Sequence, residues 1–293
     1  MKVSSSTIAM AATATPMGQL ANALRHPSLV LGALLSSLLV AAALLSLFWT
    51  PWPVFEVDLA LKLQLPSLSH WLGTDTLGRD VVSLLLVGAQ NSILVGVIAV
   101  GIGLTFGGAL GLLAATRGGW VEELIMRLAD FTFAFPAILS AIMMAAVFGA
   151  GIATSIVAIG IFNIPTFARI TRASANAVLA REFVLAARAC GKGPWRITLE
   201  HVLPNIASVL IVQATTQFAI AILAEAALSY LGLGTQPPQP SWGRMLSEAQ
   251  TLLFQAPRLA VFPGLAIALA VMGLNLLGDG LRDVLDPRLT RRR

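Results

Sequence analysis

Charge is what this sequence of 293 residues has least of. Asp, Glu, Lys and Arg make up 11% of it, where a soluble domain carries roughly 25%. Hydrophobic residues reach 57% and the mean hydropathy is +0.83, so the chain reads as an integral membrane protein. A single cysteine, Cys190, excludes an internal disulfide. The three histidines, His26, His70 and His201, are scattered with no second ligand at metal spacing, so no zinc site is expected. No G-x-x-x-x-G-K-[ST] string occurs. Cys190-Gly191-Lys192-Gly193 comes nearest but lacks the spacing and the Mg²⁺-binding hydroxyl. Nor does a nucleophile–base pair stand out. The chain is therefore expected to hold no cofactor and to be no enzyme; if ATP drives it, the ATPase is a separate chain.

What charge there is, is distributed unevenly. The formal net charge is +5 and the isoelectric point about 10.3, which in a soluble protein would suggest nucleic acid. Here the basic residues mark topology instead. Six apolar runs predict six spans, at about 28–49, 81–116, 122–149, 152–170, 206–231 and 259–277. The first could be mistaken for a signal peptide. It is longer than the 7–15 residues of a signal core, and Pro51-Trp52-Pro53 follows it where a small-residue cleavage site would stand. With both termini inside, 15 of the 19 Lys and Arg fall on the cytoplasmic side, leaving Lys62, Arg79, Arg244 and Arg258 outside. The division that follows is a cytoplasmic tail over 1–26, the first span with its outer segment over 27–80, a five-helix core over 81–280 and a second cytoplasmic tail over 281–293.

Several stretches stand out against this background. Residues 181–205 form the longest polar interruption, with Arg181, Arg188, Lys192 and Arg196. Glu182 to Cys190 predicts a short helix with Phe183, Ala187 and Cys190 on one narrow apolar face, stopped by Gly191. Gly193-Pro194 then opens a second short helix, and Leu203-Pro204 closes the segment. Two readings stand: an ordinary solvated loop, or a docking surface. Outside, the string HWLGTDTLGRD (70–80) reads as a capped turn, with Thr74 or Asp75 as the N-cap, rather than an acidic metal loop. Gly103, Gly107 and Gly111, at four-residue spacing, let another helix come close. Two acids fall within spans. Asp130 is either interfacial or functional. Glu225 either lines the path or makes a packing hydrogen bond. Between the fifth and sixth runs, Gly232 to Gln250 holds Pro237, Pro238, Pro240 and Trp242. It reads as a stiff surface for an outside partner or a gate, or else as a plain connector.

The spacing of 185–204 resembles the "EAA loop" of permease subunits in binding-protein-dependent ABC importers. Ala186, Ala187, Gly191, Leu203 and Pro204 fall in register, with Leu185 at the Glu position and His201 at the Ile position. Three further strings resemble the dipeptide, oligopeptide and nickel permeases of the DppC/OppC type. They are HWLGTDTLGRD, EAALSYLGLGTQPPQPSWGRML (225–246) and FPGLAIALAVMGLNLLGDGLRDVLDPRL (262–289). The resemblance implies an all-α type I importer fold with six transmembrane helices and a cytoplasmic coupling-helix loop. It also implies the partners: a second permease chain, two ATPase subunits that carry ATP and Mg, and an extracytoplasmic binding protein. The ATPase contacts it implies are Phe183, Ala186, Ala187, Arg188 and Gly191; Glu225 and Trp242 are the candidates for the lumen or its gate. Peptide is the expected substrate, nickel or another small solute the alternative. A self-sufficient secondary transporter or channel is the rival class, but no inverted repeat with broken helices is visible.

Overall fold

The computed structural model describes residues 26–285. The tails at 1–25 and 286–293, with the basic residues assigned to them, lie outside that range. The described chain is helical, with no strand beyond an isolated Thr74–Asp80 bridge. Among the described residues, five helices are long and apolar enough to cross a membrane: α1 (Pro27–Phe48), α2 (Val81–Arg117), α5 (Ile152–Leu179), α7 (Pro194–Tyr230) and α9 (Arg258–Leu285). A bent pair, α3 (Gly119–Ala134) and α4 (Ala137–Phe148), is apolar enough for a sixth when its halves are counted as one span. Two eight-residue helices complete the set, α6 (Glu182–Ala189) and α8 (Trp242–Ala249).

The third span departs from the single helix expected at 122–149. Its halves meet at 83°. Phe135 is extended (φ −95°, ψ 130°) because it precedes Pro136, whose ring disfavours the helical conformation there. Other spans run further than the apolar stretches suggest. α5 continues to Leu179 and α9 to Leu285, across the boundary drawn at 280. The second short helix expected from Pro194 is not separate: it is the first part of α7. Pro204 lies within that helix, directly after a π-helical turn, Thr198–Val202. A wider turn there relieves the clash of the proline ring with the preceding turn. The 37 residues of α7 come to about 55 Å, against a hydrocarbon thickness of roughly 30 Å. The helix therefore projects well beyond a bilayer.

Small residues set the packing. A Cβ on Gly103 would run into Asn163, on Gly107 into Phe167 and the Ile164 carbonyl, and on Gly111 into Thr171. The close approach predicted for this stripe is made by α5. At the other edge, α1 and α9 pack through Gly32, Gly273 and Gly280, each against the backbone or Cβ of the facing helix. Two buried clusters result. One joins α1, α2, α7, α8 and α9 through Leu84, Ile222, Trp242 and Leu259. The other joins α2, α5, α6 and α7 through Phe167, Val184, Ile197 and Ile206.

Candidate functional site

The segment between α5 and α7 is held firmly and yet left open. Val184 is fully buried among Val178, Ile197, Val202 and Ile206, worth about 1.5–3 kcal/mol for one such side chain. That residue, and not Phe183 or Cys190, is the anchor of α6. Ala187 is half-buried beside it, while Phe183, Leu185, Ala186, Arg188 and Cys190 remain exposed. The anchor eluded the helical pattern because it is one residue on an eight-residue helix, too short for a periodicity to repeat.

The C-terminus of α6 is capped as its sequence demands. Gly191 has φ +79°; its N–H donates to the Arg188 carbonyl at 2.9 Å and the Lys192 N–H to the Ala187 carbonyl at 3.2 Å. This pair of bonds is the Schellman pattern, which needs a left-handed residue at the position of Gly191. Beyond the turn, Lys192 Nζ donates to Glu200 at 2.6 Å and lies 3.0 Å from His201 Nε2. Arg196 also binds Glu200, at 2.5 Å. Thr116 and Thr198 share a hydroxyl hydrogen bond of 2.8 Å, and Arg117 stacks over Trp195 at 5.8 Å. The loop is thus tied to α2 and to the base of α7. A push on α6 would be carried into two spanning helices.

The opposite end of the bundle carries a second constellation. Asp80, not Thr74 or Asp75, is the N-cap of α2. It accepts from Ser83 N at 2.8 Å and Ser83 Oγ at 2.9 Å, with His70 Nδ1 at 3.1 Å. Asp75 instead caps its own turn, accepting from the N–H groups of Leu77 and Arg79, both at 2.8 Å, and from Arg79 Nε at 2.7 Å. Arg79 reaches on to Glu248, which also accepts from Arg244 at 2.9 Å. The string is a folded, capped turn whose carboxylates are engaged.

Glu225 and Trp242 lie close to this end, and both are enclosed. Glu225 has no exposure and accepts from Ser229 Oγ at 2.6 Å and Thr235 Oγ1 at 3.3 Å. It fastens the 232–241 segment to α7, which is the packing reading. Trp242 is 3% exposed, donates from Nε1 to the Leu85 carbonyl at 3.0 Å and fills the space over Gly88. The expected aromatic anchor for an outside partner is therefore corrected: this indole is core, pulled inward by the hydrogen bond and by its neighbours on α2. Asp130, which had no visible partner in the sequence, pairs with Arg169 of α5.

Residues 107–291 match the family described as the binding-protein-dependent transport system inner membrane component. The chain belongs to that family. It is thus a permease subunit of a binding-protein-dependent ABC importer. Over 260 residues the permease is 42% identical to the dipeptide transport system permease protein DppC of Alkalihalophilus pseudofirmus, covering 89% of this chain and 86% of the relative. Over 224 residues it is 46% identical to the glutathione transport system permease protein GsiD of Pectobacterium atrosepticum and 49% identical to GsiD of Escherichia coli O157:H7, in each case covering 76% of this chain and 74% of the relative. Among solved structures, a chain of the MetNI methionine ABC transporter in inward-facing conformations superposes with a TM-score of 0.59 at 18% identity. The match covers 69% of the permease and 97% of that chain. That likeness speaks for the fold, that of an ABC transporter's membrane chain.

Proposed function

We propose that this permease forms half of the translocation pathway of an ATP-driven importer of short peptides. A second, similar permease chain completes the pathway, two ATPase subunits dock on the paired loops, and an extracytoplasmic binding protein delivers the substrate. The ATPases bind ATP and Mg, and this chain supplies motion transfer and a path. Its orientation follows the charge bias. The α6 end, with Arg117, Arg172, Arg181, Arg188, Lys192 and Arg196, faces the cytoplasm of a bacterial cell, and the 70–80 turn with α8 faces outward.

The observation that carries this reading is α6, an exposed helix braced on a buried valine at the end of the spans. Phe183, Ala186 and Arg188, with the half-buried Ala187 between them, offer a surface with little bulk near Gly191, suited to a groove in a partner. Peptide chemistry draws its support from the relatives named for dipeptide and glutathione, itself a tripeptide. The test is uptake by the complex reconstituted with its binding protein and ATP, using labelled dipeptide with unlabelled dipeptide, glutathione or nickel chelate as competitors. Uptake of dipeptide, with competition from peptides only, is the expected result. Uptake of the nickel chelate without uptake of either peptide would overturn the substrate assignment and leave the importer architecture standing.

A further inference from the structure

The chain between α1 and α2 turns the opposite side outward from a loop made for water. Its inner side is spent on backbone hydrogen bonds with the 70–80 turn. The Asp58 N–H donates to the Leu77 carbonyl at 3.1 Å, the Leu63 N–H to that of Asp75 at 2.9 Å, and the Thr74 N–H to that of Gln64 at 3.1 Å. The approach is so close that a Cβ on Gly73 would strike the Gln64 carbonyl oxygen, and one on Gly78 that of Asp58. The outer side carries large apolar side chains. Trp49, Trp52, Phe55, Leu65, Leu68 and Trp71 are all exposed, Leu68 at 98%. Val54 is the one hydrophobic residue in 49–71 that is buried. Trp52 draws the exposed set together: its Nε1 donates to the Ser69 carbonyl at 2.8 Å, and its ring lies 4.8 Å from that of His70. The 67–71 turn, with Leu68 and Trp71, is thereby held beside the exit of α1. An exposed apolar face of this extent marks an interaction surface.

What covers this face follows from α1. The buried residues of that helix, Gly32, Ser36, Leu39 and Ala43, form one stripe toward α2 and α9. The rest of its circumference is open and largely apolar, the surface a span shows to lipid. That surface continues without a break through Leu47, Phe48 and Trp49 into the segment beyond. The height is set as well. The 22 residues of α1 carry no charge and come to about 33 Å, just enough to cross a hydrocarbon core of roughly 30 Å. Phe48 therefore stands at the outer boundary of that core. The ends of two other spans hold the segment near this level. The Trp52 N–H donates to Ser83 Oγ, in the first turn of α2, at 3.1 Å. Arg258, the first residue of α9, donates from Nη2 to the carbonyls of Leu63 and Gln64 at 2.9 and 3.1 Å.

We propose that residues 49–71 lie in the headgroup layer of the outer leaflet as an interfacial platform, and that the partner of their apolar face is lipid. Trp49, Trp52 and Trp71 are suited to that layer, because an indole has an apolar body and a polar edge. Glu56, Asp58 and Lys62, exposed on the same segment, have the hydrated headgroups for neighbours. The platform ties the outer ends of α1, α2 and α9 to one level of the bilayer, whatever the complex transports. Quenching by depth tests it. Phe55→Cys and Leu68→Cys, each in a Cys190→Ala background, receive a bimane fluorophore in the purified complex, which is then placed in nanodiscs of phosphatidylcholine and phosphatidylglycerol. Leu38→Cys, on the open face of α1, serves as the reference within the core. A nitroxide on the lipid headgroup should remove most of the emission at positions 55 and 68. Aqueous iodide should remove far less than it does from bimane on free cysteine. Position 38 should respond to a nitroxide in mid-chain and not to iodide. Iodide quenching at 55 and 68 equal to that of the free cysteine, with no effect of the headgroup nitroxide, would place the segment in water and overturn the proposal. Loss of that iodide quenching on adding loaded binding protein would make the face a protein docking surface instead. Emission at both positions that neither quencher reaches would mean cover by the second permease chain, and would overturn it equally.

Discussion

Trp242 and Glu225 are single residues whose surroundings decide what they do. The indole fills a slot over Gly88 and donates across to a helix more than 150 positions away in sequence. Three prolines around it suggest a stiff exposed loop, and no local pattern reveals that the segment folds back onto α2. Trp242→Ala should cost about 3–5 kcal/mol in stability. The thermal midpoint of the purified complex should drop, with no change in affinity for the binding protein among the molecules that stay folded. A lowered affinity at unaltered stability would return Trp242 to the outside surface. For Glu225, a glutamine keeps the acceptor oxygen for Ser229 and Thr235, so Glu225→Gln should fold and transport nearly as wild type. Glu225→Leu strips both hydroxyls of their acceptor and should destabilise by about 1–3 kcal/mol, which melting of the two variants side by side would resolve.

At the scale of elements, legibility follows the range of the cause. The α6 helix and its stop at Gly191 were readable because a left-handed turn is a local matter of two hydrogen bonds and one residue without a Cβ. The glycine stripe of α2 was readable as a contact, though not as a contact with α5, since a spacing names no partner. The break after Ala134 was written in Pro136, but the apolar run continues through it and hides the bend from hydropathy. The union of Pro194 with α7 was hidden the other way, because Pro204 looks like a stop unless a π turn precedes it. Asp130 and Arg169 meet because α3 lies against α5, a long-range contact that no local pattern names. The stripe gives a direct test of element packing. Gly107→Leu should drive α2 and α5 apart and abolish the monodisperse detergent-extracted complex, whereas Gly101→Leu, whose Cβ meets nothing within 4 Å, should be tolerated. Equal behaviour of the two on size exclusion would show that the α2–α5 approach is not needed.

For the molecule as a whole, orientation comes first. Ser241 has no exposure, so an outside probe belongs at Phe254, which is fully open. On intact cells, an impermeant thiol reagent should label Phe254→Cys and spare Ser5→Cys and Arg292→Cys, each in a Cys190→Ala background. Labelling at position 5 would rule out the inside N-terminus. The central claim is that α6 passes the ATPase motion into the spans. Two glycines allow it to be tested. Gly191 and Gly118 both have positive φ, +79° and +62°, both sit on turns at the basic end, and a Cβ at either meets nothing closer than 4.0 Å within the chain. Tryptophan at Gly191 carries the cost of a left-handed residue, about 1–2 kcal/mol. At Gly118, with ψ −163°, it carries more, since that region is kept almost wholly for glycine; strain alone would therefore harm Gly118→Trp more. Only Gly191 borders the docking surface proposed on α6. The measurement is ATP hydrolysis by the purified complex, stimulated by loaded binding protein, for Gly191→Trp against Gly118→Trp. Loss of stimulation in the first with near-normal stimulation in the second is the predicted result. Full stimulation and uptake in Gly191→Trp would contradict the claim that this loop is the transmission element.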